Sequence, residues 1–194
     1  MNDGKRFEED FRKSIPDDMF CMRIVDAGGW SNATNTRFTG KNICDYILFT
    51  NSKLFLLELK SHKGRSIPQT TLTQLGELSK VNYQGVYPLF VLNFRDHEQT
   101  YLISPDMVNI CLSGRKSVPM DFCMKHGTRL PQTKLRVRFR YDMDTFKEGF
   151  EMKCDTCTHN LFGICYNTKS DKLGCLADQR KCSDYEEELE HDVH

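Results

Sequence analysis

Three side chains carry the strongest chemical signal in this sequence: Asp45, Glu58 and Lys60. Glu58 and Lys60 are two residues apart, so on a strand they project from the same face. All three sit in or at the end of two apolar runs, Cys44-Asp45-Tyr46-Ile47-Leu48-Phe49 and Leu54-Phe55-Leu56-Leu57-Glu58-Leu59. A charge in such a run is costly unless it is paired or ligating. Two carboxylates suit Mg²⁺ or Mn²⁺, hard cations that take oxygen ligands and keep sites open for water and phosphate. The Leu59 carbonyl is a further candidate oxygen. A cation held this way lowers the pKa of a bound water and neutralises charge growing on a phosphate. Lys60 would orient or deprotonate that water, or stabilise the transition state. Such a set points to phosphodiester hydrolysis.

The elements around these residues must bring them together. The link Thr50-Asn51-Ser52-Lys53 suits a hairpin turn, and an antiparallel hairpin places Asp45, early in one strand, beside Glu58, late in the next. Both runs are nearly continuous apolar, as in strands buried on two faces. Upstream, Phe7, Phe11 and Ile15 at helical spacing predict a helix from Gly4 to about Ile15, stopped by Pro16. Phe20–Val25 reads as a short strand, and residues 27–42, rich in Gly, Asn and Thr, as a loop. Downstream, residues 61–69 form a polar, basic loop. Thr71 to about Val81 reads as a helix, Tyr87–Phe94 and Gln99–Ser104 as strands, and Pro105 opens a helix through Cys111. Lys134–Arg140 alternates strictly and predicts a strand with Lys134, Arg136, Arg138 and Arg140 on one face. The predicted class is α/β, a central mixed sheet flanked by helices.

The chain has 194 residues, with 27 Lys+Arg balanced by 27 Asp+Glu. The balance is uneven along the chain. Residues 1–150 carry 22 basic and 17 acidic residues, net +5, and residues 151–194 carry 5 and 10, net −5. A mildly basic body is compatible with a DNA partner. No apolar run reaches the roughly 18 residues of a membrane span, and the charged N-terminus is unlike a signal peptide. These features predict a cytosolic protein without a membrane partner.

Cys21, Cys44, Cys111 and Cys123 are scattered among apolar neighbours and read as small buried hydrophobes. Cys154, Cys157, Cys165, Cys175 and Cys182 crowd the C-terminal segment, with Cys154 and Cys157 forming a C-x-x-C knuckle. In a cytosol, this density predicts metal rather than disulfides. A tetrahedral Zn²⁺ on Cys154, Cys157, Cys165 and Cys182, with Cys175 as alternate, is the favoured ligand set. An iron–sulfur cluster is the other possibility. The charge reversal and the cysteines predict a boundary near residue 150: a nuclease-like body over 1–150 and a cysteine-rich module with an acidic tail over 151–194.

Asp45…Glu58-x-Lys60 resembles the PD-(D/E)xK nuclease signature, and its surroundings resemble RecU-type Holliday junction resolvases. Gly4-Lys5-Arg6-Phe7-Glu8 matches a G-x-x-(L/F)-E helix pattern. Cys44-Asp45-Tyr46 matches a (C/T)DY strand, and Ile67-Pro68 and Gln74 match a loop and helix after the E-x-K strand. Gly114-Arg115-Lys116-Ser117-Val118-Pro119, followed by His126-Gly127, is the most specific match, and the resemblance spans roughly residues 4–141. It implies a restriction-endonuclease-like fold and a Mg-dependent endonuclease acting on branched DNA in recombination. It also implies a homodimer, with Glu8 as a third acidic residue and Gln74 in a supporting role. It further suggests a short, phage-encoded version. The chain departs from the family in the interval before Asp45. Only residues 27–43 stand where the family has a long stalk, leaving Trp30, Arg37 and Lys41 for DNA contact. Other expected DNA contacts are Lys63 and Arg65 in the loop after Lys60, Arg115 and Lys116, and Arg136, Arg138 and Arg140, with Lys5 and Arg6 beside Glu8. Alternative readings are a nicking or end-processing nuclease without junction preference, and a non-catalytic DNA-binding protein whose zinc module recruits a partner.

Overall fold

The computed structural model describes residues 3–25, 28–30, 37–39, 42–148, 160–161 and 164–165; the strand pieces at 28–30, 37–39, 160–161 and 164–165 are described by main chain alone. Helix α1 (Asp3–Ser14) is followed by β1 (Phe20–Arg23), β2 (Gly28–Trp30), β3 (Arg37–Thr39), β4 (Tyr46–Thr50) and β5 (Lys53–His62). Then come β6 (Ser66–Pro68), α2 (Leu75–Leu78), β7 (Val86–Phe94), β8 (Gln99–Ile103), α3 (Pro105–Leu112), β9 (Ser117–Pro119) and α4 (Met120–His126). The remaining elements are β10 (Thr128–Arg129), β11 (Gln132–Lys134), β12 (Phe139–Tyr141), α5 (Asp144–Glu148), β13 (Asn160–Leu161) and β14 (Ile164–Cys165).

Six strands form the central mixed sheet in the order β1-β4-β5-β7-β8-β10. β4 and β5 make the expected hairpin, with Tyr46 opposite Leu57 and Thr50 opposite Lys53. Its turn places Asn51 and Ser52 at φ 47° and 59°, as a two-residue turn matching strand twist requires. β5 then runs parallel to β7 over its whole remaining length, so Glu58 faces Phe90 and Lys60 faces Leu92 across the ladder. β4 ends before Glu58 is reached. The last residues of β5 are therefore bound by β7 on one side and extend past β4 on the other.

Alternation along β5 explains both cores. Phe55, Leu57 and Leu59 point to one face, where Phe7 and Phe11 of α1, Tyr141 of β12 and Phe146 of α5 cover them. Leu56 points to the other face, where Phe90, Leu92 and Phe94 meet Ile67, Leu78, Met107, Val118 and Cys123. Glu58 and Lys60 belong to this second face by register. The second run, in β5, is covered on both faces, as its nearly continuous apolar pattern predicts. The first is not, because β4 buries Tyr46, Leu48 and Thr50 on one face and leaves Phe49 exposed on the other. Helix α3 begins as expected, with Pro105 in its first turn and the Ser104 hydroxyl accepting from the Met107 N–H at 3.3 Å. Cys44, Cys111 and Cys123 are buried and Cys21 is half-buried, all as free thiols.

Three sequence expectations are corrected. Lys134–Arg140 is not one strand but a hairpin, β11 and β12, with Lys134 opposite Phe139 and Thr133 opposite Arg140. The four cations therefore do not share a face, because the chain reverses between them. The helix expected over 71–81 is a turn of 3-10 helix at Gln69–Thr71 and the four residues of α2. Leu72, Leu75 and Leu78 recur every three residues, a spacing that successive tight turns bury as well as one helix does. The loops expected at 27–42 and 61–69 also contain strand. β2 pairs with β3, and β6 pairs with β9, joining Ile67 to Val118. The cysteine segment and the boundary near residue 150 lie outside the described residues, apart from the short pairing of β13 with β14.

Candidate active site

The hairpin brings Asp45 to Glu58 through main-chain bonds on both sides. The Asp45 N–H donates to the Leu57 carbonyl at 3.0 Å, and the Ile24 N–H donates to the Asp45 carbonyl at 2.8 Å. The Asp45 side chain continues where β4 stops: its Oδ2 accepts from the Leu59 N–H at 2.8 Å. Leu57 and Leu59 thus turn their main-chain groups toward Asp45, and the Leu59 carbonyl lies on this same side of β5.

Glu58 is fully buried, at 0% exposure. Neither of its carboxylate oxygens has an aligned hydrogen-bond donor. One charge meets it: Lys60 Nζ stands 2.6 Å from Glu58 Oε1, with the lysine side chain partly open to solvent. Burial, and then the neighbouring Asp45 charge, push the Glu58 carboxyl up to about 7, against the pull of Lys60. Burial also raises Asp45, opposed by the Leu59 N–H and by the charges of Lys60 and Arg23. The Cys44 thiol beside them is pushed up to about 12 by burial and by both carboxylates, so it stays protonated.

A fully buried carboxylate is a poor structural element unless a cation answers it. Lys60 answers one oxygen. By the chemistry of their donors, Asp45, Glu58 and the Leu59 carbonyl would suit a small divalent cation. Among the described residues, no group of three or more His, Cys, Asp or Glu side chains is arranged to hold a metal.

The structure distributes the other expected residues unevenly. Glu8 on α1 is bound by Arg23, whose Nη2 donates to Glu8 Oε2 at 3.0 Å, and is not seated on the carboxylate pair. Arg23 stands opposite Tyr46 in the sheet and its charge is felt at Asp45, so Glu8 is linked to the site through an arginine. Gln74 precedes α2, above the sheet face that holds Glu58, and its Oε1 accepts from the Thr73 hydroxyl at 2.6 Å. The loop after Lys60 is held by the Gly64 N–H on Asp96 Oδ2 at 3.1 Å, with Gly64 at φ 80°. Arg65 pairs with the exposed Asp121 at 2.7 Å. Arg115 and Lys116 lead into β9, where the Lys116 carbonyl accepts from the Gln69 N–H at 3.0 Å. Arg138 is engaged by Glu9 at 3.0 Å and Asp10 at 3.4 Å. Arg136 and Arg140 are exposed. The side chains of Trp30 and Arg37, and Lys41, Cys154, Cys157, Cys175 and Cys182 entirely, lie outside the described residues, as does the Cys165 side chain.

Sequence reasoning missed two features. Arg23 has no distinguishing signal in a four-residue strand. The second is a polar row on the face opposite Lys60. There the Ser61 hydroxyl donates to Asn93 Oδ1 at 2.8 Å, Asn93 Nδ2 to Thr100 Oγ1 at 2.9 Å, and Thr100 Oγ1 to Gln132 Oε1 at 2.6 Å. Arg95 Nη2 adds a bond to Ser61 Oγ at 3.1 Å. This row ties the end of β5 to β7, β8 and the hairpin. Asn93 and Thr100 interrupt apolar strands, and that interruption was the available signal.

No known family model matches the chain. It is similar to the SPbeta prophage-derived uncharacterized protein YotM of Bacillus subtilis (strain 168), at 28% identity over 164 residues, covering 72% of this chain and 82% of the relative. Among solved structures it overlaps Archaeoglobus fulgidus Hjc, a Holliday junction resolvase from an archaeal hyperthermophile. That overlap has a TM-score of 0.45 and 15% identity, and covers 65% of this chain and 95% of the other.

Proposed function

We propose that this protein is a metal-dependent DNA endonuclease whose active site is Asp45, Glu58 and Lys60. The observation that carries the reading is the fully buried Glu58 carboxylate beside Asp45 and 2.6 Å from Lys60. Asp45, Glu58 and the Leu59 carbonyl would hold Mg²⁺ or Mn²⁺. Bound there, the cation would supply an acidified water and neutralise charge on the scissile phosphate. Lys60, partly open to solvent, would hold that water or the phosphate oxygen by its ammonium. Glu58 must be ionised to accept the cation, so occupancy should rise with pH through about 7. The Leu59 N–H fixes the Asp45 carboxylate, so the pair is set before substrate arrives. Lys63 and Arg65 in the loop after β5, with Arg115 and Lys116 by β9, would contact phosphates. The Arg65–Asp121 pair is exposed, and such pairs contribute roughly 0–1 kcal/mol, so a phosphate can replace the aspartate.

Branched DNA, four-way junctions in particular, is the substrate proposed from the motif resemblance, with a restriction-endonuclease-like fold and a two-fold dimer that cuts both strands. Glu8 acts in this reading through Arg23, and Gln74 supports the site from its place as the residue that caps α2. The prophage-derived relative is in keeping with a phage-borne enzyme, working in the cytoplasm on recombination intermediates. Cleavage of labelled junctions and matched linear duplexes with Mg²⁺ or Mn²⁺ is the test. Asp45→Asn, Glu58→Gln and Lys60→Ala should abolish cleavage while DNA binding survives. Full cleavage by Asp45→Asn protein would refute the site.

Residues 151–194 are proposed as a separate module holding about one Zn²⁺ on Cys154, Cys157, Cys165 and Cys182, with Cys175 as alternate. A segment so short and so poor in large apolar residues needs a staple to fold. Elemental analysis of protein purified without chelator should find zinc. A chain free of zinc and iron would remove the module.

A further inference from the structure

The hairpin β11–β12 is fastened along its length and bare at its tip. Asp10 Oδ2 accepts from the Phe139 N–H at 3.1 Å, and Ser14 Oγ accepts from the Tyr141 N–H at 2.9 Å. Arg138 is held by Glu9 and Asp10, Arg6 donates to the Val137 carbonyl, and Lys134 pairs with Glu98. The Tyr141 ring packs edge-on against Phe7 at 5.6 Å between centroids. The turn is closed by the Leu135 N–H on the Arg138 carbonyl at 2.7 Å. Yet Leu135 is 49% exposed and Val137 64% exposed, with exposed Arg136 between them.

Two ties place this tip at the active-site end of the sheet. Glu98, its partner through Lys134, lies in the turn between β7 and β8. β7 runs parallel to β5, so that turn stands beside the end of β5 that carries Lys60 and His62. Arg6, which holds the Val137 carbonyl, is two residues from Glu8 on α1, and Glu8 reaches Arg23 beside Tyr46. The same end of the sheet therefore holds the buried carboxylate pair and the basic loop after β5 together with the first turns of α1 and the hairpin tip, which cover its other face.

The chemistry of the tip favours one partner. Lys5, Arg6, Arg136 and Arg140 are exposed on α1 and the hairpin, while the nearby acids Glu9, Asp10 and Glu98 are engaged by Arg138 and Lys134. Two apolar side chains are too small an area for a stable protein interface, which needs about 800 Å² per partner. They are enough for a nucleic-acid wedge, where one or two apolar side chains enter the minor groove and flanking arginines take phosphates. We propose that Leu135-Arg136-Val137 is a duplex-docking wedge: Leu135 and Val137 press on the minor groove, and Arg136 takes an adjacent phosphate. The bonds from α1 make the wedge a fixed reference that sets the distance from the groove to Asp45, Glu58 and Lys60. This inference rests on the nuclease reading.

Duplex binding by fluorescence anisotropy in Ca²⁺, across a salt series, tests it. Leu135→Ser/Val137→Ser changes only exposed side chains, so folding should be preserved. It should weaken binding by about tenfold or more with the salt slope unchanged, since the lost contacts are apolar. Arg136→Ala should lower the salt slope by about one. If wild-type protein binds duplex and the double variant binds equally well, the wedge is wrong and the nuclease reading stands. If wild-type protein binds no DNA, the nuclease reading fails and the wedge falls with it. Sedimentation run in parallel covers the remaining case: a double variant that loses self-association while keeping its affinity per protomer makes the tip a protein interface and overturns the proposal.

Discussion

Replacing Glu58 with glutamine should stabilise the protein at alkaline pH and do almost nothing at acid pH. The folded carboxyl titrates at about 7, against an ordinary value of 4.5, because burial and Asp45 disfavour its charge. A carboxyl whose pKa is raised by folding favours the folded state fully below its unfolded pKa. That contribution is lost as pH rises through the folded pKa. The difference between about 4.5 and about 7 corresponds to about 3 kcal/mol by which the buried charge weakens the fold above neutrality. Glutamine resembles the protonated acid in size and can donate to Asp45 as that acid would, so Glu58→Gln should recover most of it. For a chain of this length, 1 kcal/mol moves the melting temperature by roughly 2–4 °C. Calorimetry near pH 8, without divalent cation, should therefore find the variant about 6–10 °C above wild type, and near pH 4 the two should coincide. Glu77→Gln, which removes an exposed surface carboxylate, is the control. A Glu58→Gln protein that melts at or below wild type near pH 8 would refute the account of Glu58 as a costly buried charge.

Two further predictions concern the scaffold. At Gly127 an added Cβ would lie 2.8 Å from the Leu102 carbonyl oxygen and 2.9 Å from that of Cys123, both main chain. Gly127→Ala should therefore cost on the order of 2 kcal/mol in denaturant unfolding, as overpacking against rigid atoms does. At Ser52, with φ 59°, glycine relieves a left-handed strain, so Ser52→Gly should raise stability by about 0.5–1 kcal/mol; a loss would mean the turn is not the two-residue form seen here.

Much of the scaffold was legible because local pattern decided it. Phe7 and Phe11 at helical spacing did mark α1, and the two apolar runs did form a hairpin that brings Asp45 to Glu58. What local pattern cannot supply is pairing at a distance. β6 and β9 are three residues each and meet across about fifty positions, joined by Ser66 and Ser117 at 2.6 Å, so Ile67-Pro68 and Gly114–Pro119 read as separate motifs rather than one ribbon. The run 134–140 misleads for the opposite reason. Leu135, Val137 and Phe139 alternate as a strand would, but only Phe139 finds the core. The chain reverses at the turn closed by the Leu135 N–H on the Arg138 carbonyl, and acidic residues of α1 hold Arg138 just beyond it. Glu8 shows a third limit. Its place on α1 was readable, but its partner Arg23 comes from an edge strand with nothing to mark it.

The last rung beside β5 is made by a side chain rather than by a strand. The Leu59 N–H, beyond the end of β4, is held by Asp45 Oδ2. That amide proton is therefore a built-in reporter. Its chemical shift and solvent-exchange rate should follow the charge and occupancy of the Asp45 carboxylate, in resting protein, with no substrate and no turnover. The same bond separates two substitutions that are often treated alike. Asparagine keeps an acceptor for Leu59 and removes only the charge, whereas alanine also unlatches the strand end, so only the first isolates chemistry from fraying.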